Sequence, residues 1–453
     1  MNKGELYPLS VKLMTAFCLS AVLVPFMSSA FNLALPQIAL KFSFTSALLA
    51  WFNTAFTIAT AVFQIPFAKV GDKFGRRRIY TTGLIGMAAF LFISPFSPNA
   101  LTLIALRFIS GIFAAMFFAN GMAILTAAVH PKNRAKALAI NVAAVYSALA
   151  TGPVLGGFLA EYFGWQSIFY LTGVASVAAF FSALLWIDKE LETNREEKFD
   201  FIGSFLFGIA VLGIIYGFTS IPNFRGFAFL AAGVALMAVF ILFELRIKFP
   251  IINIKLFTEN KVFAFSNMAS LINYAANMSV TFMTSLYLQF VLGLRETTAG
   301  AVLISQALLQ VAASLAAGKL SDRYTPSKLA TAGMLISAAG IFGLIFAENS
   351  LVYIIANLMF TGLGFGLFAS PNTNTIMSSV DKRFYGQASA VTGTMRTVGM
   401  SFSMGIAGLI LSVFLGDVKV SASIAPTFVL AFRWVFAVSF IMSLAGAYCS
   451  GKR

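Results

Sequence analysis

Apolar residues recur in long runs from Val11 to Cys449, interrupted only by short stretches that carry charges or turn residues. A helix needs about 20 apolar residues to cross the hydrocarbon layer of a bilayer. Fourteen runs of that kind can be drawn, with cores at 11–34, 48–70, 79–97, 101–123, 138–160, 167–187, 203–221, 227–245, 263–288, 299–318, 329–347, 351–371, 388–411 and 428–449. The pattern predicts an all-α polytopic membrane protein of fourteen transmembrane helices. The first run, after Lys3 and Lys12, has features of a secretory leader, with Ser28-Ser29-Ala30 as a cleavage-like site. It is too long for one and thirteen more runs follow, so it is taken as a retained first helix.

Composition removes the soluble alternatives. Of 453 residues, 59% are hydrophobic and 10% charged, against roughly 25% charged in soluble domains, and the mean hydropathy is +0.88. A single-span receptor is excluded too, since the apolar residues fill the whole chain. The net charge of +15 does not point to nucleic acid, because the bases lie in short clusters between the runs, where they orient a membrane protein. With the N-terminus inside and the spans alternating, the 31 Lys and Arg divide into 24 inside, 4 outside (Lys41, Arg225, Arg295, Lys419) and 3 within spans (Arg107, Arg396, Arg433). Both termini are therefore expected in the cytoplasm, in a cell-membrane protein. Cys18 and Cys449 form neither a disulfide framework nor a metal-binding spacing.

Span 2 runs into Ala68-Lys69-Val70-Gly71-Asp72-Lys73-Phe74, and span 10 into Gly318-Lys319-Leu320-Ser321-Asp322-Arg323-Tyr324. The two segments repeat small residue, Lys, apolar residue, small residue, Asp, base and aromatic in register. Two related halves follow, each of six helices: residues 1–190 and 263–453, with spans 7 and 8 inserted in 191–262. Transporters are commonly built from such repeats, with the substrate site between them near the midplane.

Gly71-Asp72-Lys73-Phe74-Gly75-Arg76-Arg77-Arg78 resembles motif A of the major facilitator superfamily, in the loop between spans 2 and 3 where that family has it. Arg107-Phe108-Ile109-Ser110-Gly111 resembles its motif B, with Ser110 where Gln is usual, and Gly152-Pro153-Val154-Leu155-Gly156-Gly157 resembles motif C, the antiporter motif. Asn32-Leu33-Ala34-Leu35-Pro36, Glu244-Leu245-Arg246 with Pro250 and Leu256-Phe257, and Arg396-Thr397-Val398-Gly399 are further matches. With fourteen spans, the chain is similar to the fourteen-helix drug:H+ antiporter branch. Met27 is a departure: the family often has Asp there, seven residues before the Ala of Ala-Leu-Pro. The resemblance implies a proton-coupled exporter of amphipathic small molecules, in which motif A latches the cytoplasmic side and motif C shapes the seal between the halves.

The residues themselves suggest where such work would be done. A carboxylate at position 72 can pair with neighbouring bases and with a helix end, each contact contributing about 0.3–2 kcal/mol, so Gly71, Asp72, Gly75, Arg76, Arg77 and the second copy at Asp322 form the expected latch. Pro153 removes a helix hydrogen bond while Gly152, Gly156 and Gly157 let a neighbouring helix press in. Arg107 and Arg396 are costly inside a span and are expected to face the bundle interior as coupling or substrate residues. Arg433, near a span end, can snorkel. Ser266, Ser270, Asn273, Asn277, Thr281 and Thr284 share a face of span 9; Asn53, Thr57, Thr60 and Gln64 do so on span 2, and Gln306, Gln310 and Ser314 on span 10. These faces, with Asn32, are expected to line a water-filled path. His130 is read as a surface residue.

All sixteen acids fall in loops or at span ends. With no carboxylate mid-membrane and two interior arginines, neutral, zwitterionic or anionic amphiphiles are expected to be handled better than dications, and protons to be carried by an end-of-span acid such as Glu161 or by Asp72. No Walker element, paired histidine ligands or Gly-x-Ser-x-Gly elbow is present, so neither an enzyme nor a cofactor or metal site is expected. The partners are a small molecule, protons and the bilayer, without nucleic acid, and the protein is expected to be a monomer. The alternatives are an exporter or facilitator of an anionic or neutral metabolite and, from another class, a non-transporting membrane sensor. Reporter fusions after residues 200 and 223 should give opposite locations; matching signals would overturn the fourteen-span topology.

Overall fold

The computed structural model describes residues 11–130, 133–187, 200–221, 224–247, 250–320, 323–348, 350–380, 385–416 and 425–453. Among the described residues there are fourteen long helices, one short one and no strand. In chain order these are α1 (Val11–Phe42), α2 (Ser46–Phe74), α3 (Arg76–Ile93), α4 (Ala100–Ala128), α5 (Arg134–Phe163), α6 (Gln166–Trp186), α7 (Phe201–Thr219) and α8 (Phe224–Glu244). They continue with the short α9 (Lys255–Glu259), then α10 (Lys261–Leu286), α11 (Glu296–Leu320), α12 (Pro326–Ile345), α13 (Leu351–Ser378), α14 (Tyr385–Leu415) and α15 (Ala425–Gly451). Each of the fourteen apolar runs thus becomes one helix.

Thirteen of the long helices are apolar enough to cross a membrane. The other is α10, whose 26 residues include Ser266, Asn267, Ser270, Asn273, Asn277, Ser279, Thr281, Thr284 and Ser285. Those groups lower its hydropathy without shortening it, and most are buried, so α10 is an interior helix that is shielded from lipid by its neighbours.

Polar residues at the run boundaries start the helices. Asn99 accepts a hydrogen bond from the Thr102 amide (2.9 Å), Asp200 from Gly203 (2.8 Å) and Asn260 from Phe263 (2.9 Å), each satisfying an N-terminal amide that the helix leaves free. Between α2 and α3 the turn is made by a single residue, Gly75, at φ +110°, a conformation that glycine adopts without steric cost.

Helices α1–α6 pack mainly on one another, through α1 with α5 and α6, α2 with α4, and α3 with α4 and α6. Helices α10–α15 do the same through α10 with α14 and α15, α11 with α13, and α12 with α13 and α15. The two groups meet along α2–α14 and α5–α11, with a smaller contact of α1 with α10. The pair α7–α8 attaches to this seam rather than to one group, since α7 touches both α2 and α14. An apolar cluster of Ile58, Val62 and Ile65 with Phe207, Val211, Ile215 and Phe240, Ile251 and Ile252, and Val391 and Val398 joins the inserted pair to both groups.

Candidate functional site

Helix α5 lies between α1 and α11 with little side chain in the way. A Cβ at Gly156 would sit 2.5 Å from the Ala30 Cα of α1, and one at Gly152 would overlap the Ser29 hydroxyl. On the α11 side, a Cβ at Gly157 would be 2.5 Å from the Glu296 carbonyl oxygen, and one at Gly300 would be 2.3 Å from that of Pro153. The Gly-Pro-x-x-Gly-Gly element therefore sits at the contact between the two helix groups, where only glycine permits such an approach.

Above it, polar groups close the same end of the seam. Glu161 Oε2 accepts hydrogen bonds from the Thr297 amide (3.2 Å) and hydroxyl (2.7 Å), at the first turn of α11. A carboxylate at a helix N-terminus also gains from the helix dipole. Arg295 approaches Glu161 Oε1 at 3.8 Å but is largely exposed, so that ion pair adds little. Gln37 of α1 donates to the Ala160 carbonyl (2.8 Å) and to Glu296 Oε1 (3.0 Å), stitching α1, α5 and α11 together. The sequence singled out Glu161 but not its cross-seam partner.

At the opposite end, Asp72 Oδ1 accepts from Arg76 Nε at 2.6 Å, Arg77 donates to the Leu184 carbonyl of α6 (2.9 Å), and a Cβ at Gly71 would overlap Asn120 Oδ1 of α4. Gly71, Asp72, Gly75, Arg76 and Arg77 are thus brought together with α3, α4 and α6. Asp322 lies outside the described residues.

Arg107 of α4 is 1% exposed. Its guanidinium carbon lies 4.8 Å from the ring centroids of Phe31, Phe52 and Phe56, its Nε is 3.5 Å from the Phe52 carbonyl and its Nη1 3.3 Å from Met27 Sδ. Inserting an arginine mid-span costs at least about 2.5 kcal/mol, while a desolvated cation–π contact contributes up to about 2 kcal/mol; three such rings offset a cost of that size without a carboxylate. Met27, where the resembled family often has Asp, is the residue against the guanidinium.

Arg396 of α14 behaves differently. It is half-buried, donates to the Thr373 hydroxyl of α13, lies 5.8 Å from the Tyr274 ring centroid of α10, and leaves its buried Nε without a partner. Tyr146 of α5, from the other helix group, is half-buried near Ser314 of α11 and within electrostatic range of Arg396 and Tyr274. This cluster of one guanidinium and two phenols, drawn from both sides of the seam, can hold an acceptor-rich aromatic molecule. Tyr146 and Tyr274 were not singled out from the sequence, where nothing separates them from ten other tyrosines. Arg433 is exposed, as snorkelling predicts. Arg453 is instead held by Ser266, Asn372 and Ser450, and burial lowers its pKa to about 10.

The polar faces are largely consumed by contacts between helices. Asn53 donates to Asn32 (3.2 Å), whose carbonyl accepts from Ser285 of α10 (2.7 Å), and Thr397 of α14 donates to Gln64 (3.3 Å), so these pairs cross or border the seam. Asn277 accepts from Ser337 of α12 (2.8 Å) and Gln306 from Thr281 (3.3 Å), both within the second group. Asn273 is fully buried with its amide unpaired, and Gln310 is buried. In this conformation Asn277 faces α12. His130 is exposed.

The profile of the Major Facilitator Superfamily matches residues 17–245 and 267–450. The riboflavin transporter RibZ of Clostridioides difficile (strain 630) is 30% identical over 396 residues, covering 86% of this chain and 85% of its own. The multidrug efflux pump LfrA of Mycolicibacterium smegmatis is 26% identical over 426 residues, covering 91% and 83%. Among solved structures, a bacterial homolog of the human lysosomal transporter Spinster, inward-facing and occupied, superposes with a TM-score of 0.70 at 15% identity, covering 96% of this chain and 95% of that one.

The Arg107 cage yields a direct check on folding. Met27→Lys should abolish monodisperse expression, because it sets two uncompensated charges together in the bundle, whereas Met27→Asp should express as well as the parent by pairing with Arg107. Size-exclusion profiles of fluorescent fusions report the outcome; normal expression of the lysine variant would contradict the placement.

Proposed function

The chain belongs to the Major Facilitator Superfamily, and on that footing we propose that it is a proton-coupled exporter of amphipathic small molecules that works by alternating access. It is a multi-pass membrane transporter rather than an enzyme. In the proposed cycle, residues 1–190 and 263–453 rock about the seam, with α7 and α8 following as an insert. The observation that carries this reading is the fit of Gly156 and Gly157 against α1 and α11, with Glu161 and Thr297 directly beyond. A glycine-faced seam can close to backbone contact and can part again at the cost of a few hydrogen bonds, each contributing about 0.5–1.5 kcal/mol. Two states separated by so little can be exchanged by substrate and proton binding.

The closed end is assigned to the outside and the Gly71–Arg78 segment to the cytoplasm, which follows from the basic-residue count. Asp72 and Arg76 then sit where a cytoplasmic latch acts, and protonation of Glu161 is the step that weakens the outer closure. The substrate site is assigned to Arg396, Tyr274 and Tyr146, at the meeting of α5, α10 and α14. A guanidinium and two phenols without a facing carboxylate favour neutral, zwitterionic or anionic aromatic amphiphiles over dications. The efflux-pump relative supports a drug-like cargo. The riboflavin transporter relative supports a second reading, a planar metabolite held by the same residues.

Purified protein in proteoliposomes with an imposed pH gradient, tested with cationic, anionic and neutral aromatic compounds, separates these readings. Gradient-driven flux of neutral or anionic compounds is expected; saturable transport of dications alone would contradict the site. Asp72→Asn should lower flux at least about tenfold, the effect of roughly 1.4 kcal/mol, at unchanged abundance in the membrane. Full flux would return Asp72 to an ordinary loop charge.

A further inference from the structure

Two carboxylates face each other at the Gly75 end of the inserted pair. Asp200 caps α7, and its Oδ1 accepts from the Gly203 amide at 2.8 Å. Glu244, the last residue of α8, is 3% exposed, and its Oε2 accepts from the Ile252 amide at 3.0 Å. The two remaining oxygens, Asp200 Oδ2 and Glu244 Oε1, are both buried without a hydrogen-bond partner. Both would touch the same added methyl at Gly203, at 2.1 and 2.3 Å, so they look into one small space.

Among the described residues no base is paired with them. The charged groups of the adjoining segment, Arg246, Lys255, Glu259 and Lys261, are exposed. Of the elements packed on α7, α8 brings Arg225 at its opposite end, α2 brings Lys69, Asp72 and Lys73, and α14 brings Arg396, which is turned to Thr373 and Tyr274. Lys248, Lys382 and Arg383 lie outside the described residues. Two buried carboxylates this close repel when both are ionised, and one proton between them turns the repulsion into a hydrogen bond that satisfies both orphaned oxygens.

We propose that Asp200 and Glu244 are a proton-binding site that holds one shared proton and thereby fastens the segment after α8 to the inserted helices. The fastening matters because of where that segment leads. Ile251 and Ile252 pack with α2, α7, α8, α13 and α14 in one apolar cluster, so the Glu244–Ile252 bond sets the point from which the chain enters the second six-helix group. With the proton in place the inserted pair, the linker and the seam helices are one unit. When a rise in pH removes it, the two charges separate, the Ile252 amide loses its partner and the attachment loosens. This site is distinct from the coupling step and does not require transport to be proton-driven.

The linkage has a definite sign. With one proton held between the carboxylates of the folded protein and released by the unfolded chain at neutral pH, stability is fully present at low pH and falls as pH rises far enough to remove that proton. The experiment is thermal unfolding of the full-length protein in detergent without substrate, from about pH 6 to about pH 9, with Glu244→Gln, Asp200→Asn and Glu244→Ala. The melting temperature of the parent should fall by several degrees over the upper part of that range. Glu244→Gln, which carries the donor permanently, should keep its melting temperature there, and Asp200→Asn should do the same. Glu244→Ala should be lowered at every pH and likewise show no slope from the pair. Amide exchange at Ile252 supplies a second readout, since its protection should drop at high pH in the parent and persist in Glu244→Gln. An unchanged pH slope in Glu244→Gln would overturn the proposal. So would restoration of the parent's stability at high pH by sodium or magnesium ions, which would make the space a cation site.

Discussion

At Gly157 and Gly300 no side chain separates α5 from α11, one of the places where the two helix groups meet. Gly157 lies against the Glu296 carbonyl and Gly300 against that of Pro153, and the rest of the arrangement depends on that closeness. It brings Glu161 within reach of the first turn of α11 and lets Gln37 bridge three helices. Inside a bilayer no hydrophobic force drives helices together, so backbone approach and a few polar contacts decide the association. A seam built this way is tight when closed and holds few bonds that must break to open.

The charge distribution follows a second rule, that an ion within the membrane must be offset by what surrounds it. Arg107 is offset by three aromatic faces and a thioether and is 1% exposed. Arg396 is only half-buried and leaves its Nε without a partner. The two arginines, alike in hydropathy, thus have different surroundings: one is part of the core of the first group, the other lies beside Thr373 and Tyr274. The acids are confined to the ends, where Glu161 meets a helix N-terminus, Asp72 meets Arg76, and Glu244 meets Asp200.

Much of this was legible in the sequence because it is written locally. Fourteen apolar runs became fourteen long helices, and the Gly-Pro-x-x-Gly-Gly element proved to be a contact surface, since glycines at helical spacing mark close approach whatever the partner. Partners were not legible. On the polar face of α10, Asn277 accepts from Ser337 and Thr281 donates to Gln306, partners the sequence does not name because spacing shows that groups share a face but not what that face meets. Arg107 was recognisable as interior, but its cage draws on Phe31, Phe52 and Phe56 among fifty phenylalanines. Tyr146 carried no signal at all, and Asp200 and Glu244 stand far apart in the chain, two among sixteen acids in loops or at span ends.

Parting of the α5–α11 seam in each cycle is the central claim. It is tested most directly by placing cysteines at Glu161 and Thr297, in a chain whose Cys18 and Cys449 have been replaced, and joining them with a short reducible cross-linker. Flux should stop on cross-linking and return on reduction, while each single-cysteine variant treated in the same way keeps its flux. Undiminished transport by the fully cross-linked protein would contradict the account.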